Sequence, residues 1–246
     1  MLTQETLNKL RQMKLNGLVE AYLDQERNNN YEAMSFEDRL GLLVDWEFTK
    51  RQHNRLDRLI KAAKFTDSTA CVENIDYSPD RHLDRNLILE LASCNYIPHA
   101  RNIVINGATG AGKSYLAQAL GISACRHHLP TRYFQLPDLL DELHLAKANE
   151  QEQFIKFKRQ LAKIPLLIID EWLLFPITEE ETQMLLSIID RRATTCSTIV
   201  VSQFEPAEWL DQIPIPVAAE AITDRIDAQS YHIVIQGKNS MRSKLS

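Results

Sequence analysis

The sequence predicts an α/β domain built on a parallel sheet, preceded by a small domain made of helices alone. Two observations lead to this prediction. From residue 101 onwards, short apolar runs alternate with amphipathic helical segments, the order typical of a parallel sheet with helices on both faces. Over about the first 65 residues, apolar side chains instead recur every three or four positions, as in helices. We therefore predict domains over residues 1–67 and 68–246.

The N-terminal domain is predicted to contain three helices. Two short amphipathic helices are expected between residues 1 and 27, with a break near Asn16-Gly17. Ser35-Phe-Glu-Asp38 has the pattern of a capping box, so a long helix is expected to follow as far as about Ala63. The apolar side chains that this helix is expected to bury are Leu40, Leu43, Val44, Phe48, Leu56, Leu59 and Ile60.

The second domain is predicted to contain five strands. Residues 66–86 are polar and are interpreted as a linker, and a helix over 83–92 is expected before the first strand. The predicted strands cover residues 101–106, 131–136, 166–170, 197–203 and 231–236. The predicted helical segments between them cover residues 113–128, 137–163, 178–194 and 217–226. Because the carboxyl ends of parallel strands share one edge of the sheet, a ligand is expected at that edge.

The first strand of this domain leads into a glycine loop, Asn-Gly-Ala-Thr-Gly-Ala-Gly-Lys-Ser114. Its spacing matches a phosphate-binding loop, whose glycines allow backbone N–H groups to face phosphate oxygens. Lys113 is expected to reach the β- and γ-phosphates, and Ser114 is expected to bind Mg²⁺. The helix that begins here directs the positive end of its dipole at the anion. The predicted nucleotide contacts in this loop are Gly107, Ala108, Thr109, Gly110, Ala111, Gly112, Lys113, Ser114 and Tyr115.

Two carboxylates, Asp170 and Glu171, end the predicted strand 166–170. We expect Asp170 to hold Mg²⁺ and Glu171 to polarise the water that attacks the γ-phosphate. The following strand ends at Ser202-Gln203. A side-chain amide at that position could sense the γ-phosphate or orient the water, and a simple strand cap is the alternative.

A nucleotide site whose phosphates face outward often lacks a charge to stabilise the transition state, and an arginine from a neighbouring subunit can supply that charge. Arg225, near the end of the last predicted helix, is the candidate. Arg191 and Arg192 are its competitors.

Composition narrows the class of protein. The chain has 246 residues, of which 44% are hydrophobic, and a formal net charge of −5, which argues against disorder and against a generally basic DNA-coating protein. No uncharged apolar stretch approaches the ~20 residues that span a bilayer, and no signal peptide is evident, so we expect a cytoplasmic protein without a membrane partner. The four cysteines form no C-x-x-C pair, so neither a zinc site nor a disulfide framework is indicated.

Positive charge is concentrated in residues 50–64, where one acid, Asp57, accompanies six basic side chains. Such a segment is either a DNA-binding patch or a solvated helix face, and the pattern alone does not decide between them. The six cations are Lys50, Arg51, Arg55, Arg58, Lys61 and Lys64.

Taken together, these segments resemble the IstB family, the ATP-binding helpers of insertion-sequence transposases. The resemblance covers nearly the whole chain and is carried by Asp45–Glu47, Ile105–Leu120, Leu166–Trp172, Ser197–Phe204, Asp224–Ile226 and Gly237–Arg242. It implies an AAA+ P-loop NTPase fold of the initiator and helicase-loader clade, with strand order 5-1-4-3-2. One departure is that relatives commonly have glycine after Asp-Glu-Trp, where this chain has Leu173-Leu174.

The resemblance also implies roles for individual residues. The implied catalytic residues are Lys113, Glu171, Gln203 and Arg225, with Ser202 or Gln203 as the phosphate sensor. The terminal Arg242 is expected to approach the phosphates. A helical insertion after the second strand, here Leu139–Lys163, lines the DNA side in that clade. Its basic residues, implied to contact DNA, are Lys156, Lys158, Arg159 and Lys163.

The resulting hypothesis is an ATPase that uses ATP and Mg²⁺, oligomerises on double-stranded DNA without reading its sequence, and recruits or stimulates a partner transposase. A helicase loader, a non-hydrolysing nucleotide-dependent adaptor and a small-molecule kinase are the alternatives. Glu171 argues against the kinase, because transfer of phosphate to a bound hydroxyl needs no water-activating carboxylate at that position.

Overall fold

The computed structural model describes residues 3–236. The tail predicted to approach the phosphates, including Arg242, lies outside the described residues. The chain divides into two compact units at Arg58/Leu59, inside a long helix, rather than at the predicted residue 67. Between residues 3 and 236, no helix is long and apolar enough to cross a lipid bilayer.

The first unit consists of helices α1 (Gln4–Gln12) and α2 (Asn16–Arg27) and the first part of α3 (Phe36–Ala63), which continues into the second unit. All three helices were predicted. The Ser35 hydroxyl caps α3 by accepting from the Asp38 N–H at 3.1 Å. The core of this unit is small and consists of Leu7, Val19, Tyr22 and Leu43.

The prediction that α3 buries seven apolar side chains is wrong for most of them. Of the seven, Leu43 alone is buried. Three are between 43% and 61% exposed, namely Leu40, Val44 and Phe48. The remaining three are partly buried, namely Leu56, Leu59 and Ile60. The reason is that α1 and α2 are short and cover one stripe of α3, so the described part of the first unit offers no element to cover the rest of its circumference.

A buried carboxylate joins α2 to α3. Glu47 accepts from the Leu18 N–H at 3.0 Å and from Arg51 Nε. Burial raises the pKa of Glu47, but the hydrogen bonds from Arg51 and Leu18 outweigh it and hold the pKa below its ordinary value. The close approach requires Gly17, because a Cβ at that position would lie 2.8 Å from Glu47 Oε2 and 3.1 Å from Glu47 Cα.

The second unit is a parallel α/β fold, as predicted. Its strands are β1 (Asn102–Gly107), β2 (Thr131–Gln135), β3 (Leu166–Asp170), β4 (Ser197–Ser202) and β5 (Ser230–Ile235). Its further helices are α4 (Arg85–Ala92), α5 (Lys113–Arg126), α6 (Leu136–Asn149), α7 (Gln151–Lys163), α8 (Glu179–Arg192) and α9 (Pro216–Asp227). All strand pairs are parallel, in the order β2-β3-β4-β1-β5, which counted from the β5 edge reads 5-1-4-3-2.

The sheet carries an apolar core on each face, because successive residues of a strand point to opposite sides. On one face, Ile103 and Ile105 belong to the same cluster as Leu116 of α5. On the other face, Val104 belongs to a cluster with Leu139 of α6 and Leu185 of α8. This alternation fixes the face of the sheet that each side chain of β1 covers.

The interpretation of residues 66–86 as a linker is wrong. Gln118 of α5, itself buried, accepts from the Thr66 hydroxyl at 3.0 Å and from the Asp67 N–H at 2.8 Å. Three apolar side chains of the stretch are buried in the core shared with α5, namely Ala70, Val72 and Ile75. The composition of this stretch was misleading because polar groups in it form hydrogen bonds with other parts of the protein rather than with water.

We expect Gly17→Ala to destabilise the first unit by about 1–3 kcal/mol, because the added methyl group displaces Glu47 and weakens its bond to Leu18. Gly41→Ala is the matched control on α3, where no heavy atom lies within 4 Å of an added Cβ. It is expected to stabilise the helix by up to about 1 kcal/mol through helix propensity. Amide hydrogen exchange in α2 measures local opening in both variants. Equal protection of α2 in the two variants would contradict the requirement for glycine at position 17.

Candidate nucleotide-binding site

The glycine loop between β1 and α5 has the backbone conformation that its sequence predicts. Gly107, Gly110 and Gly112 have φ values of +150°, +79° and +90°, in the region that favours glycine. At Gly107, an added Cβ would also lie 2.3 Å from the carbonyl oxygen of Ile235 at the end of β5. Gly112 is the residue from which α5 starts, so the N-terminus of that helix opens directly onto the loop.

Lys113 is folded back onto this loop. Its Nζ donates to the carbonyl oxygens of Gly107 and Ala108 at 2.7 and 2.9 Å, and the side chain is largely buried. Burial lowers the pKa of Lys113, and the Asp170 carboxylate opposes that shift. Asp170 ends β3, and β3 and β1 flank β4 in the same parallel sheet, so Asp170 and the loop lie at one edge of that sheet.

Both oxygens of the buried Asp170 carboxylate accept hydrogen bonds. The Tyr133 hydroxyl donates to Oδ2 at 2.8 Å, and the backbone N–H of Glu171 donates to Oδ1 at 2.8 Å. Burial, followed by the neighbouring Asp170 charge, raises the pKa of Tyr133, so this hydroxyl keeps its proton and acts as a donor. Tyr133 lies on β2 and was not predicted as a site residue.

Glu171 lies at the start of a constrained turn. Its φ is +53°, and its Oε1 accepts from Gln135 Nε2 at 3.3 Å. The next residue, Trp172, is fully buried and donates its N–H to the Val201 carbonyl oxygen at 2.8 Å. Leu173 has φ +51°. Burial of the Leu173 side chain offsets the cost of this left-handed backbone, roughly 1–2 kcal/mol.

Ser202 and Gln203, proposed together as a sensor, have different surroundings. The Ser202 hydroxyl donates to the Trp172 carbonyl oxygen at 3.1 Å and accepts from Phe204 N–H and Trp209 Nε1. Gln203 Oε1 accepts from the hydroxyl of Thr109, in the glycine loop, at 2.9 Å. The geometry therefore assigns Ser202 to holding the strand end, and of the two it brings Gln203 to the loop.

Ser114 and Asp170 are the residues that could hold Mg²⁺. Ser114 is exposed in the first turn of α5, and Asp170 ends β3. Mg²⁺ usually keeps several waters and takes one or two protein oxygens together with phosphate oxygens, so a sparse donor set fits it. No group of three or more His, Cys, Asp or Glu side chains able to hold a metal occurs in the part of the chain that the structure describes.

The segment before α4 supports the loop from outside it. The buried Arg81 donates through Nη2 to the Ala111 carbonyl oxygen at 2.7 Å. Tyr115, predicted as a nucleotide contact, bonds through its hydroxyl to the backbone N–H and carbonyl of Cys71, at 3.2 and 3.4 Å. These contacts tie the segment to the loop and to α5. A single arginine in a polar stretch gives no sequence signal of such a role.

The three candidate arginines have different surroundings. Arg225 on α9 donates through Nε to Asp190 of α8 at 2.9 Å and does not contact the glycine loop of its own chain. Arg192 is fully buried and donates to backbone carbonyl oxygens, including that of Leu161 at 2.6 Å, so it cannot reach another subunit. Arg191 is exposed.

The predicted DNA-binding cations fall into three groups. Three pair with carboxylates of their own unit: Lys50 with Glu20, Arg51 with Glu47 and Lys64 with Glu142. Lys158 lies over the Phe154 ring at 4.5 Å, and its pKa is lowered, first by burial and then by Arg191 and Lys147. The others are exposed and have no ion pair among the described residues, namely Arg55, Arg58, Lys61, Lys156, Arg159 and Lys163.

Comparison with known proteins agrees with this geometry. A protein of insertion sequence IS1162 from Pseudomonas fluorescens, named for ATP binding, is 40% identical over 203 residues, which are 82% of this chain and 87% of that one. The insertion-sequence protein y4pL of Sinorhizobium fredii, named in the same way, is 34% identical over 99% of this chain and 98% of its own length.

Solved structures show the same fold at low identity. The DnaC helicase loader superposes with a TM-score of 0.56 at 18% identity, over 68% of this chain and 97% of that one. AMPPCP-bound DnaA from Aquifex aeolicus superposes with a TM-score of 0.60 at 19% identity, over 74% of this chain and 55% of that one. The second unit thus shares the α/β fold of these proteins.

A family model described as "IstB-like ATP binding protein" matches residues 8–246. This match covers nearly the whole chain, and its description agrees with the names of the insertion-sequence relatives. The chain belongs to the IstB-like family of ATP-binding proteins.

Proposed function

We propose that this chain is an ATPase that assembles on double-stranded DNA and serves a partner transposase. The observation that carries the ATPase assignment is that Lys113, folded back onto the end of β1, Asp170, which ends β3, and Gln203, which follows β4, share the carboxyl edge of the sheet. Each group comes from a different segment, and together they provide a phosphate contact, a metal ligand and an amide near the phosphates. Membership of a family named for ATP binding supports the choice of nucleotide.

In the proposed reaction, the phosphates of ATP lie against the glycine loop and the N-terminus of α5. Lys113 exchanges its bonds to the Gly107 and Ala108 carbonyl oxygens for phosphate oxygens. Ser114 and Asp170 would hold Mg²⁺, which would supply positive charge to neutralise the phosphates. Glu171 accepts a proton from the water that attacks the γ-phosphorus, while the bond from that phosphorus to the oxygen bridging it to the β-phosphate breaks and ADP leaves.

Gln203 is the proposed sensor of the γ-phosphate. Its Oε1 accepts from Thr109, which leaves the NH₂ group of the same amide to donate to a phosphate oxygen or to orient the water. Arg225 is proposed to act on the site of a neighbouring subunit, where its charge stabilises the transition state. Hydrolysis then depends on assembly, because each site is completed by another copy of the chain.

The DNA contact is proposed to involve the basic strip of α7, formed by Lys156, Arg159 and Lys163. These residues recur at three- and four-residue spacing, so they share one face of the helix. Cations free of internal pairs can neutralise DNA phosphates without first breaking an ion pair, and such contacts carry no sequence information. Arg55, Arg58 and Lys61 of α3 are proposed as further contacts on the same grounds.

A transposase is proposed as the partner because the relatives found by sequence comparison are proteins of insertion sequences. The likeness to the DnaC helicase loader concerns the fold alone and does not favour that alternative. Pull-down with a transposase from an IstB-type insertion sequence and, separately, with a replicative helicase distinguishes the two functions. Capture of the helicase alone would contradict the proposal.

Glu171→Gln is expected to lower the ATP turnover number at least 100-fold and to leave ATP affinity within about threefold, because it removes the base but keeps the shape of the side chain. Glu179→Gln, in the exposed first turn of α8, is the control and is expected to keep full activity. Turnover is measured by phosphate release and affinity by a fluorescent ATP analogue. Unchanged turnover in Glu171→Gln would favour the non-hydrolysing adaptor.

Tyr133→Phe is expected to raise the Mg²⁺ concentration needed for ATP binding by about tenfold, because Asp170 loses one of the hydrogen bonds that orient its carboxylate. Tyr96→Phe is the control, since the buried Tyr96 hydroxyl has no hydrogen-bond partner in the described structure. Titration of nucleotide binding with Mg²⁺ gives the midpoint for each variant. Equal midpoints in both would show that Tyr133 does not orient the metal ligand.

The triple variant Lys156→Gln, Arg159→Gln, Lys163→Gln is expected to reduce the slope of log K against log salt for duplex binding by about 2–3, since each lost phosphate contact contributes about 0.9. The control removes the same charge from cations already paired with glutamate: Lys9, Arg126 and Lys147. Fluorescence anisotropy at four salt concentrations gives both slopes. An equal fall in the two variants would assign the effect to net charge rather than to the basic strip of α7.

A further inference from the structure

The guanidinium of Arg225 is held by a carboxylate on the adjacent helix. Arg225 lies in the last turn of α9, and Asp190 lies near the end of α8, which packs against α9. Arg225 Nε donates to Asp190 Oδ1 at 2.9 Å, and Arg225 Nη1 donates to the Ala221 carbonyl oxygen at 2.9 Å. These two hydrogen bonds together fix the orientation of the planar Arg225 guanidinium.

This arrangement leaves part of the guanidinium available. An arginine has five N–H donors, and those on Nη2 have no partner among residues 3–236. The Arg225 side chain is 34% exposed and that of Asp190 57%, so the pair lies at the surface rather than in the core. A surface ion pair of this kind contributes little to the stability of the fold. Its effect is therefore sought in the orientation that it gives to the Arg225 guanidinium.

We propose that Asp190 is a positioning residue that aims the free edge of the Arg225 guanidinium at the phosphates bound by a neighbouring subunit. This inference rests on the proposed function, in which Arg225 acts on the site of another copy. Arginine has a long and flexible side chain, and a transition-state contact is most effective when its donor is oriented before the reaction. Asp190 supplies that orientation through Nε and does not occupy the Nη2 donors.

The first test separates turnover from substrate binding. With DNA present and protein at assembling concentration, Asp190→Ala is expected to lower kcat for ATP hydrolysis about tenfold and to leave KM for ATP within about twofold. Asp190→Asn keeps an oxygen that accepts from Nε and is expected to retain at least about a third of the activity. Asp224→Ala, which removes an exposed carboxylate next to Arg225 in sequence, is the control and is expected to be fully active. Asp190→Ser removes the same bond with a polar side chain and takes the place of Asp190→Ala if the latter does not fold.

The second test asks in which subunit Asp190 acts. An Asp190→Ala subunit has an intact nucleotide site and a poorly oriented arginine, whereas a Glu171→Gln subunit has an inactive site and a correctly held arginine. Mixed in equal amounts, they form interfaces at which an Asp190→Ala site receives a correctly held Arg225. The specific activity of the mixture is expected to exceed the mean of the two parents by about fivefold, because about a quarter of all sites then combine an intact site with a correctly held arginine. Activity at that mean would overturn the inference, because it would assign the loss to the variant's own site.

The Arg225→Ala variant separates the proposed positioning role of Asp190 from the proposed role of Arg225 at the neighbouring site. If Arg225→Ala lowers kcat and Asp190→Ala does not, the positioning role of Asp190 is overturned and the role of Arg225 in the proposed function stands. If Arg225→Ala leaves kcat unchanged, the assignment of Arg225 as the trans-acting arginine is overturned, and the inference falls with it.

Discussion

The absence of a side chain at Gly107 is the constraint on which the nucleotide site depends. A Cβ at Gly107 would lie 2.3 Å from the Ile235 carbonyl oxygen, so β5 can pair with β1 to its last residue because position 107 is glycine. The strand order then completes the arrangement. β4 lies between β3 and β1, and Gln203, which follows β4, therefore lies between the acidic pair and the loop.

Site residues that end their own strand could be predicted from the sequence. The glycine loop follows β1 directly, Asp170 ends β3 and Glu171 follows it, so one segment at a time was sufficient to predict that these residues lie at the carboxyl edge of the sheet. Tyr133 and Gln135 could not be found in this way. They reach Asp170 and Glu171 because β2 pairs with β3 in a register that places Gln135 opposite Asp170, and register depends on contacts between distant segments.

The same distinction applies to the fold. Alternating apolar runs predicted the strands and helices of the second unit, because each run follows the periodicity of its own element. Burial was harder to predict, since it depends on what covers a side chain. Val44 and Phe48 on α3 are apolar and exposed, whereas Arg81 is charged and buried. Neither outcome follows from the residue type or from its spacing.

The contacts of residues 66–86 affect how this protein can be divided into working pieces. A shortened chain that began at α4 would keep the entire glycine loop and both acidic residues. It would nevertheless lack Arg81, which holds the Ala111 carbonyl oxygen, and the backbone of Cys71, which binds Tyr115. The smallest fragment that preserves the loop therefore starts well before the motif by which it is recognised, at or upstream of residue 66.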